Sequence, residues 1–218
     1  MLTNRGVKAR KRQFDCQDLV EDRAEQAVAR LRTTARRTSL PTERGGLSPR
    51  IARYLETAKL PSPCLVVDID IVEHNYAGLT RALPEAAVFY AVKANPAHDI
   101  LKRLAAQGSN FDTASIGEID LCLGHGVAPE RLSFGNTIKK QSDIAAAYAR
   151  GISLYAFDSE EELAKLAEIA PGSRVFCRIL VDCSGAEWPL SRKFGCEPAM
   201  AADLLVRAKE LGLDAYGV

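Results

Sequence analysis

The stretch "AAVFYAVKANPAHDILKRLAAQGSNFDT", residues 86–113, contains one complete strand, helix and strand unit. Its apolar run at 87–92 is rich in aromatic and β-branched residues and predicts a buried strand, and an amphipathic helical segment follows. Gly108 lies where that helix should end, because the residue after a helix often adopts the left-handed backbone conformation that glycine tolerates. A second strand is predicted at 109–113. Two strands joined by a helix in this way are the building unit of parallel α/β folds.

The same unit recurs roughly every 20 residues along the chain. Further strands are predicted at 131–135, 152–157 and 174–181, and a sixth strand begins at Leu213. The predicted ends of the later helices carry glycines in the same manner: Gly124 or Gly126, Gly151, Gly172 and Gly212. Two helix starts fit the S-x-x-E capping box, Ser115 with Glu118 and Ser159 with Glu162.

A doubly wound sheet and a (β/α)8 barrel share this repeat, and the positions of unusual polar residues distinguish them. Such residues lie at or just beyond the C-terminal ends of successive predicted strands: Lys93, Asp112, Asn136, Asp158 and Arg178. In a barrel these ends converge on one mouth, whereas a doubly wound sheet spreads them along an edge. No G-x-G-x-x-G follows the first strand. We therefore predict an incomplete (β/α)8 TIM-like barrel with five full units and the start of a sixth.

Two regions follow from this reading, a basic extension at 1–60 and the barrel portion at 61–218. Within the extension a helix is predicted near 17–36, before the turn-rich link at 39–49, and the extension is expected to be partly helical or disordered. The segment 61–68 predicts an extended strand, and Asp70 is expected to cap the helix that follows it.

Composition limits the possible functions. The extension holds 14 Lys and Arg against 7 Asp and Glu, whereas 61–218 holds 15 against 21. The nearly neutral chain therefore combines a positively charged extension with a negatively charged barrel portion. Acidic residues interleave with the basic ones, which favours a solvated helix over a nucleic-acid contact. No apolar run is long enough for a membrane helix, and the scattered histidines and six cysteines show no metal-ligand spacing. We expect a reduced, cytoplasmic protein that binds neither nucleic acid, membrane nor metal.

Lys93 is the residue whose placement calls for a function. A lysine at a strand end is usually a surface cation whose stem lies along apolar side chains. At a barrel mouth, however, partial desolvation lowers the pKa of an amine and makes it a nucleophile for a Schiff base. Its carbonyl partner would be a sugar phosphate, as in an aldolase, or pyridoxal phosphate.

Four ordered motifs favour pyridoxal phosphate: "FYAVKANP" (89–96), "FDTASIGEI" (111–119), "FDSEEEL" (157–163) and "GAEWPLSRKFG" (185–195). Together they resemble the fold-type III pyridoxal-phosphate decarboxylases, the group of ornithine, diaminopimelate and arginine decarboxylases. The last motif is most similar to the ornithine and lysine/ornithine enzymes. The resemblance covers about 61–218 and implies an N-terminal barrel domain like that of alanine racemase.

The resemblance also implies roles for individual residues. Lys93 would hold the cofactor as a Schiff base, Asp112 would lie beside it, and Arg178 would project toward the cofactor ring. Glu118 would belong to the same site, although its capping-box position explains it without catalysis. For Asp112 the alternative is an Asx turn, and for Arg178 a buried structural ion pair.

Weaker assignments fall on Asn95, which would shape the lysine loop, and on Asn136, which would touch substrate or only turn the chain. Lys193 resembles a lysine associated with the family's subunit interface, although a solvated loop cation is an equal alternative.

The implied reaction is decarboxylation of an amino acid, with L-ornithine to putrescine ahead of lysine and diaminopimelate. Full-length relatives are expected to be homodimers completed by a C-terminal β-domain, so this sequence is expected to be an N-terminal portion of such an enzyme. Two other functions stay open: a non-catalytic or regulatory homologue that binds a full-length subunit, and, more distantly, an aldolase-type barrel.

Overall fold

The computed structural model describes residues 47–181 and 193–218. The described residues form two compact units, one made of 47–66 and 75–86 and the other of 67–74, 87–181 and 193–218. The first 46 residues, including the helix predicted near 17–36, lie outside the described residues. In the described part, no helix is long and apolar enough to cross a membrane.

The first unit is helical. Helix α1 (Pro49–Thr57) begins after Ser48, whose side chain accepts a hydrogen bond from the Ile51 amide at 3.2 Å. Helix α2 (Ile69–Ala82) follows and runs across the boundary between the two units.

The strand predicted at 61–68 is wrong, because this segment is irregular. Pro61 and Pro63 remove two amide donors from its first three residues, so a strand ladder cannot form there. The cap predicted for Asp70 is also misplaced by two residues. The Asp68 side chain accepts from the Asp70 amide at 3.1 Å, and helix α2 already begins at Ile69.

The second unit contains a six-stranded parallel sheet. Its strands are β1 (Phe89–Ala91), β2 (Asn110–Thr113), β3 (Leu132–Phe134), β4 (Leu154–Phe157), β5 (Arg174–Cys177) and β6 (Asp214–Gly217). They lie side by side in sequence order, and every neighbouring pair is parallel. Sequential order without reversal is the topology of a (β/α)8 barrel, whereas a doubly wound sheet changes direction at a switch point. The predicted fold class is confirmed.

Five helices connect or precede these strands: α3 (His98–Ala106), α4 (Ile116–Gly124), α5 (Gln141–Ala149), α6 (Glu160–Ile169) and α7 (Pro198–Glu210). Each is followed by a glycine with φ between 75° and 87°, as predicted, with Gly126 rather than Gly124 serving after α4. Both predicted serine caps are present: Ser115 accepts from the Glu118 amide and Ser159 from the Glu162 amide, each at 3.3 Å.

The two faces of the sheet have different surroundings. Residues of one face are fully buried, among them Phe111, Phe134, Tyr155 and Phe157, and form the core with the apolar sides of the helices. Alternate residues point to the opposite face, since successive strand side chains point in opposite directions. That inner face carries the polar residues of the predicted barrel mouth.

Candidate functional site

A cavity of about 680 Å³ lies on the inner face of the sheet. All six strands contribute to its wall, and the lining residues of β1 and β4 follow the two-residue period of a strand. The polar part of the lining consists of Asp112, Ser133, Gly135 and Arg178, and the apolar part includes Phe89, Leu154, Phe176 and Tyr216. A volume in the range of roughly 300–1,000 Å³ suits a small organic ligand or cofactor.

Lys93 lies just beyond β1, in the short 3-10 turn Val92–Ala94. The turn ends because Asn95 precedes a proline and is therefore held extended, with φ −162° and ψ 106°. The Tyr90 hydroxyl donates to the Asn95 carbonyl at 3.1 Å, and the Asn95 side chain accepts from the Ala97 amide at 3.1 Å. Asn95 is thus hydrogen-bonded on both sides within the loop that follows Lys93, and its role in the site stays a prediction. Lys93 itself is exposed, so the predicted desolvation is not found in the chain alone.

Asp112 lies within β2, and its carboxylate is held from two sides. The Ser133 hydroxyl donates to Oδ1 at 2.6 Å. On the other side Gly135 leaves no space for a side chain, because a Cβ there would lie within 2.7 Å of the Asp112 carboxyl carbon and both its oxygens. Asp112 is therefore fixed in the cavity wall rather than forming the Asx turn considered as its alternative.

The charge of Asp112 is set by competing effects. Burial raises the pKa of its carboxyl above the usual value, while the Ser133 hydrogen bond and the positive charges of Lys93 and Arg178 lower it, and burial is the largest effect. Both cations act on this one carboxylate, so the three residues predicted for the site are electrostatically coupled at the same end of the sheet.

Arg178 follows β5 directly and lines the cavity. Its guanidinium lies over the Phe194 ring, 5.3 Å from the centroid. The Phe157 carbonyl accepts from its amide at 2.8 Å, and its carbonyl accepts from the Cys196 amide at 3.0 Å, so both neighbouring segments fix its backbone. Because the side chain is exposed, the alternative of a buried ion pair is wrong.

Glu118 and Asn136 are engaged locally. The Glu118 carboxylate accepts from the Ala114 amide at 2.7 Å, which closes the start of α4, so its role toward a cofactor stays a prediction. Asn136 is half-buried beyond β3, and its carbonyl accepts from the Lys139 ammonium at 2.8 Å.

Side-chain contacts hold the segment at 193–195, which follows β5 in the chain. Lys193 is exposed, with its ammonium 6.0 Å from the Phe194 ring centroid. Asp158 lies between β4 and α6, and its carboxylate accepts from the Gly195 amide at 2.8 Å. It thereby ties the end of β4 to the segment that carries Phe194 beneath Arg178.

Sequence reasoning missed several residues of this site. Ser133 and Gly135 were not singled out, although both sit at positions that a two-residue period places on the face of Asp112. Lys139 was also missed, and its side chain is 0% exposed. A buried lysine gives no local sequence signal, because lysine at a helix start ordinarily predicts a solvated cation.

These residues fit pyridoxal phosphate on chemical grounds. Asp112 and Arg178 line the cavity, and Lys93 follows β1, where its charge acts on the Asp112 carboxyl. A primary amine can bind the aldehyde of such a cofactor, a guanidinium can bind its anionic groups, and a carboxylate near the amine supplies an opposite charge. Within 47–181 and 193–218, no group of three or more metal-ligating side chains is found.

Comparison with known proteins gives the same result. The sequence profile of the family described as "Pyridoxal-dependent decarboxylase, pyridoxal binding domain" matches residues 69–218. The lysine/ornithine decarboxylase of Selenomonas ruminantium is 40% identical over 160 residues, which cover 73% of this chain and 41% of that protein. The ornithine decarboxylase of Rattus norvegicus is 42% identical over 153 residues, covering 70% of this chain and 33% of that protein.

A solved structure agrees in fold. The crystal structure of SrLDC in complex with PLP and cadaverine superimposes with a TM-score of 0.68 at 38% identity, covering 79% of this chain and 43% of that one. The chain spans about two fifths of the length of the first relative, 41%, and a third of the second, 33%.

Proposed function

The chain belongs to the pyridoxal-dependent decarboxylases through their pyridoxal-binding domain, and on that premise we propose that it serves the decarboxylation of a basic amino acid. The observation that carries the proposal is the cavity of about 680 Å³ on the inner face of the sheet, which Asp112, Ser133 and Arg178 line and beside which Lys93 follows β1. Pyridoxal phosphate, when bound, supplies an electron sink for the pair released as carbon dioxide leaves.

Lys93 is the residue that binds this cofactor covalently through Nζ. Its 3-10 turn and the Asn95 contacts hold the amine at the end of β1, and its exposure leaves it accessible to an incoming aldehyde. As an uncharged amine, the same Nζ would also be the group that carries a proton to and from the substrate.

Asp112 and Arg178 orient the cofactor and balance its charge. The Asp112 carboxylate cannot rotate freely, because Ser133 and Gly135 confine it. Burial raises the pKa of the Asp112 carboxyl, whereas the positive charges of Lys93 and Arg178 lower it. The Arg178 guanidinium also offers donors to an anionic group of the ligand. Glu118 in the first turn of α4, and Asn95 and Asn136 in the loops after β1 and β3, would support the site from its surroundings.

The substrate we propose is L-ornithine, ahead of lysine and diaminopimelate. The relatives support this class, since one is named lysine/ornithine decarboxylase, another ornithine decarboxylase, and the solved SrLDC holds cadaverine. We further propose a cytoplasmic enzyme that works as a homodimer. These assignments concern an enzyme of the relatives' full length. This chain corresponds to the N-terminal part of those relatives.

The test is release of labelled carbon dioxide from carboxyl-labelled ornithine, lysine and diaminopimelate, with pyridoxal phosphate present. We expect release from ornithine above the others, and its loss in Lys93→Ala. Lys102→Ala, an exposed lysine on α3, is the matched control and should retain full release. Release that persists in Lys93→Ala would contradict the proposed role of Lys93, and absence of release from all three amino acids would contradict the proposed activity for this chain.

A further inference from the structure

Lys139 carries a fully buried ammonium group that the site described so far does not use. All three of its N–H donors have an acceptor: the Asn136 carbonyl at 2.8 Å, the Ala156 carbonyl at 2.6 Å and the Glu162 carboxylate at 2.9 Å. A lysine ammonium has three donors and no acceptor, so its hydrogen bonding is complete.

Glu162 completes the network on the other side. It is 3% exposed, and its Oε1 also accepts from the Lys139 amide at 3.2 Å. Lys165 lies 2.5 Å from Oε2 and donates to the Lys139 carbonyl at 2.6 Å. We call Lys139, Glu162 and Lys165 the bracket. It joins the loop after β3 to the end of β4 and the first turn of α6.

The loop held by the bracket also touches the proposed cofactor site. It begins at Gly135, whose amide donates to the Thr113 carbonyl at 2.9 Å and whose backbone lies directly against the Asp112 carboxylate. Ala156, whose carbonyl accepts from the Lys139 ammonium, lines the same cavity as Asp112. Only three residues therefore separate Lys139 from the glycine that confines the carboxylate.

Stability alone does not explain why a lysine occupies this position. Removing a charge from water is costly, and replacing a buried ion pair by apolar residues of similar volume is often neutral or stabilising. The ammonium makes directional hydrogen bonds to three fixed acceptors, and these define the position of the loop more narrowly than apolar packing does.

We propose that Lys139 is a positioning residue, which holds the 135–139 loop so that Gly135 keeps the Asp112 carboxylate in place for the cofactor. The inference rests on the proposed function, because it assigns Lys139 an effect on cofactor binding through Asp112. It extends the site to a residue that touches neither cofactor nor substrate.

The test compares Lys139→Met with Lys140→Met, the exposed neighbouring lysine. Each is measured by titration with pyridoxal phosphate, by thermal unfolding, and by hydrogen exchange of peptides covering 135–140. We expect Lys139→Met to weaken pyridoxal-phosphate binding about tenfold or more, and Lys140→Met to leave it unchanged. Lys139→Met/Glu162→Gln removes both buried charges while keeping an acceptor for the backbone amide of residue 139. It therefore separates lost positioning from the cost of a buried carboxylate that keeps only Lys165 as its cationic partner.

A double-mutant cycle identifies the route of the effect. In an Asp112→Asn background, Lys139→Met should cost little further affinity, because the group it positions is already altered. Equal losses in both backgrounds would overturn the proposal, as would a lower melting temperature with unchanged affinity in Lys139→Met.

Hydrogen exchange separates this inference from the proposed function. If wild-type chain does not bind pyridoxal phosphate, the proposed function fails for this chain while the exchange result still decides whether the bracket holds the loop. Faster exchange at 135–140 in Lys139→Met, with no change in Lys140→Met, supports it. Unchanged exchange in both variants overturns it.

Discussion

Gly135→Ala tests the packing that confines Asp112. A Cβ at this position would lie within 2.7 Å of all three heavy atoms of the Asp112 carboxyl group, a separation that real Cβ contacts do not show. Either the loop or the carboxylate must move. Overpacking of this kind costs about 1–3 kcal/mol, and losing the hydrogen bond from Ser133 to a charged acceptor costs about 1.5–3 kcal/mol.

We therefore expect Gly135→Ala to lower the free energy of unfolding by about 2–6 kcal/mol, measured as the shift in urea midpoint at constant slope. Gly124→Ala is the matched control, since it ends helix α4 and no heavy atom lies within 4 Å of the added methyl group. That change should be neutral or stabilise the chain by up to about 1 kcal/mol.

A second background identifies the cause of the loss. In Asp112→Ala the clashing atoms are absent, so the cost of Gly135→Ala should fall by at least about 1 kcal/mol. The reasoning is refuted if Gly135→Ala unfolds at the wild-type urea concentration, or if it costs the same with and without the Asp112 carboxylate.

Three further predictions concern the same wall. Burial raises the folded-state pKa of Asp112, so the folded chain holds the proton of this carboxyl more tightly than the unfolded chain does. The free energy of unfolding should therefore fall as pH rises from 3.8 through the folded-state pKa. Urea midpoints of Asp112→Asn should not show that fall. Phe194→Leu should weaken pyridoxal-phosphate binding a few-fold, with a stability change below about 1 kcal/mol, because it removes the ring beneath Arg178. Gly195→Ala should destabilise by more than about 1 kcal/mol in thermal unfolding, because its φ is +101° and a Cβ would lie 2.9 Å from the Ile179 carbonyl; wild-type stability would contradict this.

The sequence predicts the barrel because independent signals in each repeat indicate the same order of strand, helix and glycine. Strand runs, serine caps and terminal glycines recur in register, and the structure places them as predicted. The segment 61–68 fails for a local reason, since its prolines outweigh the apolar residues that suggested a strand.

The candidate site is predictable only in part. Lys93, Asp112 and Arg178 follow from strand ends, because parallel strands bring those ends together. Gly135 and Lys139 do not, since a close backbone approach and a buried ammonium arise from residues distant in sequence. The Lys139 ammonium depends on Ala156 and Glu162, which lie 17 and 23 residues away.

The most direct test of the proposed function is covalent capture at Lys93. The chain is incubated with pyridoxal phosphate, reduced with borohydride, digested and analysed by mass spectrometry, with Lys93→Ala and Lys102→Ala in parallel. We expect a stoichiometric pyridoxyl group on the peptide that contains Lys93, unchanged in Lys102→Ala and lost in Lys93→Ala. Label spread over the exposed lysines, or label of equal amount in Lys93→Ala, would contradict it.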